Sequence, residues 1–235
     1  MTEEQSFWGA LLLIFQWGGD LWEIIGLSLR VSLTAVAIAT VLGLPIGALL
    51  ALRRFRGQHV ITVTVNTLMS LPPVVVGLLV YILLSRAGPL GVFGLLFTPT
   101  AMIIAQTILI TPIVVALSRQ HLQLEWERIG EQLRSFGIGR LSAMPTLFWE
   151  TRAALGTVVL AGFGRAIAEI GAVMIVGGNI DHLTRVMTTA IALETSKGNL
   201  ELAVALGVVL LTMALLVNAA VHGLSHWSSI RGGRT

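Results

Sequence analysis

Five long apolar runs, at about 27–52, 60–84, 99–118, 153–176 and 200–222, divide this 235-residue chain. A hydrocarbon core of ~30 Å takes roughly 20 apolar residues of helix to cross, and every run reaches that length. In lipid a helix satisfies its own backbone polar groups, whereas an open sheet edge or loop cannot. The expected fold is therefore all-α, a polytopic membrane helical bundle of about five transmembrane helices. With 55% hydrophobic and 11% charged residues, the composition excludes an ordinary soluble domain. Zero cysteines exclude disulfides and thiolate metal sites.

The basic residues set an expected orientation. Loop 53–59 carries Arg53, Arg54 and Arg56, segment 119–152 carries Arg119, Arg128, Arg134, Arg140 and Arg152, and the tail carries Arg231 and Arg234. The alternate connectors hold only Arg86, Arg185 and Lys197. The positive-inside rule then places the N-terminus outside and the C-terminus in the cytoplasm, consistent with five crossings. The arginines read as topology anchors, and no nucleic-acid surface is expected. The chain divides into an extracytoplasmic or interfacial segment 1–26, a membrane domain 27–222 and a cytoplasmic tail 223–235. Phe7 to Trp17 is too short to span and fits an interfacial helix. No cleaved signal peptide is expected.

Small residues at Gly43-x-x-x-Gly47 and Ala168-x-x-x-Ala172 suit close helix approach. Pro45, Pro72, Pro73 and Pro112 fall inside apolar runs and are expected to kink them. Arg165 and Glu169, four apart, are expected on one helical face inside the fourth run. Charge at that depth must face the bundle interior or a wet cavity. Two readings stay open from the residues: a neutralising pair that pins the helix, or the lining of a charged solute's route. Arg30 is a second intramembrane candidate, free to snorkel outward. His222 and His226 have i,i+4 spacing without a carboxylate, so a metal site is not expected. No H-E-x-x-H, G-x-S-x-G or Walker-type loop occurs, so any nucleotide-driven work needs another chain.

Segment 125–152, EWERIGEQLRSFGIGRLSAMPTLFWETR, stands apart as a charged stretch between two apolar runs. Glu131 to Phe136 is helix-forming, Gly137 and Gly139 interrupt it, and Leu141 to Trp149 resumes it. A helix–Gly–helix knob beside the membrane suits a groove on a cytosolic partner. An amphipathic loop covering the membrane interface is the plainer alternative.

The stretch Glu131-Gln-Leu-Arg-Ser-Phe-Gly137 resembles the coupling loop of ABC importer permeases, whose pattern is Glu-Ala-Ala, three residues, then Gly. Gln132 and Leu133 replace the alanines, and Trp149-Glu150 stands where the family places Leu-Pro. Gly164-Arg-Ala-Ile-Ala-Glu169-Ile-Gly171-Ala-Val-Met-Ile-Val-Gly-Gly-Asn179-Ile is similar to a span of the oxyanion importer permeases, and its Val-Gly-Gly-Asn-Ile ending to the tungstate type. The resemblance runs from about residue 27 to the tail. It implies a type I importer permease fold in a bacterial or archaeal plasma membrane. It further implies two copies of this chain, two cytosolic ABC ATPase subunits and an extracytoplasmic solute-binding protein. ATP and Mg would sit on the ATPase, with no cofactor on this chain. It assigns ATPase coupling to the loop holding Glu131, Gln132, Ser135, Gly137 and Gly139, and leaves Arg165, Glu169 and Arg30 as candidates for the translocation route. Tungstate is the implied solute, with molybdate and sulfate as alternatives. Outside this class stand a membrane-embedded enzyme using Glu169, Arg165 or the histidine pair, and a passive channel.

Overall fold

The computed structural model describes the backbone of residues 18–232 and the side chains of 20–219; the Phe7–Trp17 patch and the His222/His226 side chains lie outside them. Among the described residues there are nine α-helices and no strand. They are α1 (Gly18–Leu52), α2 (Gln58–Leu68), α3 (Pro73–Leu84), α4 (Pro99–Ser135), α5 (Met144–Glu150), α6 (Arg152–Ile167), α7 (Gly171–Gly177), α8 (Met187–Ser196) and α9 (Leu200–Gly232). A single 3-10 turn, Gly91–Phe93, precedes α4.

Helices α1, α4 and α9 are each long and apolar enough to cross a bilayer alone. The second and fourth apolar runs are not straight spans. Helices α2 and α3 meet at 99°, and α6 and α7 at 57°. The first break sits at Leu71-Pro72-Pro73, where Pro72 is extended (ψ 124°) and Pro73 opens α3. Proline lacks the N–H that a continuing helix needs but fits the first helical turn, so two in sequence end one helix and start the next. Pro45 and Pro112, each single, lie within the continuous helices α1 and α4.

Helix α4 has 37 residues, about 55 Å at 1.5 Å per residue, well beyond a ~30 Å core. Residues 119–135, read from sequence as loop, are its extension. Side-chain ladders carry it outward: Arg119 donates to Gln123 and Gln123 to Glu127, both at 3.1 Å, and Arg128 pairs with Glu125 three residues back. Helix α9 likewise runs through to Gly232, so the tail begins as helix.

By Cα packing the chain forms two units. One comprises Met1–Ala35, Pro72–Gln106 and Gly164–Asn218; the other Val36–Leu71, Thr107–Phe163 and Ala219–Thr235. In the first, α3 crosses α7 at glycine: a methyl on Gly77 would lie 2.8 Å from Ala172 Cα. In the second, α1 packs on α4 through Gly43 and Gly47. A methyl on Gly43 would meet Val114 at 2.8 Å, and one on Gly47 would overlap the Ser118 hydroxyl. The Gly-x-x-x-Gly motif thus serves as expected, bringing backbones together where hydrophobic driving force is weak. Ala168-x-x-x-Ala172 does not, because Ala168 is exposed in the break between α6 and α7. Apolar side chains such as Val41, Val74, Leu211 and Leu215 are more than half exposed, as suits lipid contact.

Candidate functional site

Two places carry the residues singled out from sequence. The first is the connector between α4 and α5, within the second unit. Helix α4 ends in a Schellman arrangement: Gly137 N–H donates to the Arg134 carbonyl at 2.9 Å, and Ile138 N–H to the Leu133 carbonyl at 3.0 Å. Gly137 has φ +76°, a left-handed conformation that glycine adopts without strain. Ile138 and Leu133 pack against a buried cluster of Ala48, Leu52, Leu122, Trp126, Ala143 and Leu147. This fastens the chain reversal to the ends of α1 and α4. Helix α5 resumes at Met144, three residues later than sequence spacing suggests, after the turn 139–143.

Glu131, Gln132 and Ser135, in the last turns of α4, and Gly137 and Gly139, in the connector, are all exposed. The Ser135 hydroxyl donates back to the Gln132 carbonyl at 2.7 Å, closing the last turn rather than reaching outward. Sequence reasoning omitted Phe136, 73% exposed at the turn, and Trp149, 65% exposed on α5. The available signal was a large apolar residue in a charged segment immediately before glycine. Arg152 lies over the Trp149 ring at 4.6 Å. The product is an anchored knob with apolar residues at its surface.

The second place is the break between α6 and α7, within the first unit. Arg165 Nη1 donates to Glu169 Oε2 at 2.6 Å. The shared helical face expected from spacing is absent, because α6 ends at Ile167 and Glu169 lies beyond it. Its other oxygen accepts the Ala172 N–H at 3.0 Å, capping the start of α7. The backbone groups freed by the break find partners too. Gln106 donates to the Ala166 carbonyl at 3.1 Å and Thr188 to the Glu169 carbonyl at 2.9 Å. Irregular backbone at membrane depth persists only where protein satisfies it. The Glu169 side chain is 3% exposed while that of Arg165 is 34% exposed. Arg30 is exposed on α1 and makes no ion pair with either among the described residues.

The Val176-Gly-Gly-Asn-Ile180 stretch marks the end of α7. The Val176 carbonyl accepts the Phe97 N–H at 2.9 Å, and the Gly177 carbonyl accepts the buried Thr184 hydroxyl at 2.6 Å. Gly178 closes the helix at φ +72°. Beyond it, α8 is buried along Met187, Thr188 and Thr189, with Met187 N–H donating to Ser28 Oγ at 2.8 Å. This helix falls between the fourth and fifth apolar runs, where the sequence shows no span.

These features define a multi-pass helical membrane protein with an internally capped, broken span and an anchored, exposed knob. No family model matches the chain. It is 43% identical over 223 residues, 94% of this chain and 96% of the relative, to the tungstate uptake system permease protein TupB of Peptoclostridium acidaminophilum. It is 46% identical over 206 residues, 84% and 87% of the two, to a probable anion ABC transporter permease protein of Haloferax volcanii. The molybdenum transport system permease protein ModB of Azotobacter vinelandii is 31% identical over 180 residues, 70% of this chain and 78% of that one. The chain belongs to the ABC transporter permease family and is a transport subunit, not an enzyme.

Proposed function

We propose that this chain is the permease subunit of an ATP-driven importer for an oxyanion, and that the oxyanion is tungstate. The solute rests on the tungstate uptake relative that the chain matches over nearly its whole length. Molybdate is the alternative, on the more distant molybdenum relatives. The observation that carries the mechanism is the α4–α5 knob: a chain reversal with exposed Phe136 at its turn, anchored below by a buried apolar cluster.

In this reading two copies of the chain form the gate. Two cytosolic ATPase subunits hold ATP and Mg, and each takes a knob in a surface cleft through Glu131, Gln132, Ser135, Gly137 and Gly139. An extracytoplasmic binding protein delivers the solute to the opposite face, with the N-terminus outside and the tail inside. The ATPases move the gate only through contacts that differ between their two states, and the knob is the part shaped to transmit them. Glu169 pins the α6–α7 break, and the partly open Arg165 guanidinium presents positive charge to the passing anion. Arg30 is the weaker candidate for that route.

The test exploits the absence of native cysteine. Single cysteines at Phe136 and Gly139, with a third at Val41 on the apolar surface as control, are crosslinked in membranes containing the ATPase subunit. The knob positions should capture the ATPase and the control should not. Tungstate uptake by reconstituted vesicles, measured with the binding protein and ATP, should disappear when the knob is crosslinked. Capture absent at both knob positions overturns the coupling assignment, and uptake of molybdate in preference to tungstate overturns the solute.

A further inference from the structure

A polar cavity of about 320 Å³ lies wholly within the second unit, beside the knob but apart from its exposed face. Its walls include Arg54, Arg119 and Arg140, the aromatic Trp126, Thr62 and a single carboxylate, Glu127. His59, Gln58 and Gln123 complete its polar side. At about 30 Å³ per water, the space holds a small hydrated ion with room to spare.

Three buried hydrogen-bonding groups of the wall residues have no partner among the described residues. Trp126 is 3% exposed and its indole N–H has no acceptor among the described residues. The same holds for Arg119 Nε and for the Thr62 hydroxyl, both shut off from solvent. Indole and guanidinium nitrogens only donate, so what they lack is an acceptor. The one nearby acid, Glu127, accepts from Gln123 Nε2 through Oε1 at 3.1 Å. Gln58 is turned away, donating to the Leu50 carbonyl at 2.6 Å.

Three guanidiniums against one carboxylate leave the cavity positive. Burial first, then the charges of Arg54 and Arg134, lowers the Arg140 pKa below the ordinary guanidinium value. Arg134 and Arg140 each lie 5.3 Å from the Trp126 ring centroid, within cation–π range.

We infer that this cavity binds a tetrahedral oxyanion, gripped by Arg54, Arg119 and Arg140. Guanidinium forks match such an anion bidentately. The bound group ties Arg54, two residues past the end of α1, to α4 and to the connector, so its occupancy stiffens the base of the knob. Phosphate of a lipid headgroup and a free inorganic oxyanion share this chemistry. The assignment does not rest on the solute proposed above.

The experiment uses the full chain with its ATPase subunits in nanodiscs, and reads arginine labelling by phenylglyoxal, peptide by peptide. In phosphatidylcholine discs, inorganic phosphate should protect Arg54 and Arg140 several-fold while leaving the neighbours Arg53 and Arg56 labelled. Chloride at equal ionic strength should not protect. Protection without added phosphate in phosphatidylglycerol discs assigns the site to a lipid headgroup; protection only by added phosphate assigns it to a free anion. Arg140→Gln should abolish protection of Arg54. Equal protection by chloride overturns the site. So does a lack of protection in both lipids, as does failure of the arginines to label under any condition, which would mean the ATPase fills the cavity.

Discussion

Arg165 Nη1 lies 2.6 Å from Glu169 Oε2, yet the pair bridges a helix end rather than running along a helix. A buried ion costs several kcal/mol to desolvate, and good geometry with added hydrogen bonds must offset that cost. Here the second carboxylate oxygen accepts the Ala172 N–H, so one side chain both neutralises an arginine and caps a helix. The pair therefore holds the 57° bend whatever else it does.

Removing only the arginine leaves a 3%-exposed carboxylate without its counter-charge. Arg165→Met should destabilise the purified protein strongly, by about 3 kcal/mol. Arg165→Met with Glu169→Gln should recover part of that loss, since glutamine keeps an acceptor for Ala172 without the charge. Thermal unfolding of the two single variants and the double variant checks this as a cycle. Strictly additive losses would show that the two residues do not depend on each other.

The α1–α4 contact at Gly47 offers a cleaner packing test. An added methyl overlaps Ser118 Oγ and comes within 2.8 Å of the Val115 carbonyl, a backbone atom that cannot turn aside. Gly47→Ala should lower stability by about 1–3 kcal/mol. Gly156→Ala, in α6 where nothing among the described residues lies within 4 Å, should be neutral or gain up to about 1 kcal/mol. Detergent-solubilised melting temperatures for both variants decide it, and equal behaviour would refute the close approach.

The bundle was legible because hydrophobic length is a local property. Runs such as 200–222 report a span without knowledge of any neighbour. The bends were only half legible. Pro72-Pro73 signals a stop, but not that α3 then lies against α7 through Gly77, a contact ninety-five residues away in sequence. Glu169 was singled out for its charge. Its capping role was hidden, because no proline or glycine announces the end of α6 at Ile167. Helix α8 was missed because its buried threonines read as polar. They bury well by donating to carbonyls, as Thr188 does to Glu169. The arginine cavity was read as topology anchors, since charge bias along the chain does not show which arginines converge.

At the knob, conformation and contact are separable. Gly137 has open space around it, with nothing within 4 Å, so only its φ of +76° resists substitution. The left-handed region costs an ordinary residue about 1–2 kcal/mol, and asparagine less. Tungstate uptake should fall in the order Gly137, Gly137→Asn, Gly137→Ala, Gly137→Val. Co-purification of the ATPase should fall in step. Asparagine and valine behaving alike would locate the glycine's importance elsewhere.

The α7–α8 loop carries a pH-sensitive tie to the start of α1. His182 Nδ1 lies 2.8 Å from Glu23 Oε2. The hydrogen bond to Glu23, then the charges of Asp181, Glu23 and Asp20, raise the His182 pKa above its ordinary 6.5, against a small opposing effect of burial. Arg185 occupies the Asp181 carboxylate at 2.6 Å. A proton bound more tightly in the folded state stabilises it. The contribution is complete below the unfolded value of 6.5 and is lost as pH rises through the higher folded value. Because His182 is exposed at φ +54°, the variant should tolerate a left-handed backbone, which His182→Asn does. The melting temperature of the wild type should exceed that of His182→Asn near pH 5.5 by a small margin that closes by about pH 9. Glu23→Gln should shrink the same pH-dependent margin, leaving the part due to Asp181 and Asp20. A difference that stays flat across this range would mean the contact contributes no proton-linked stability.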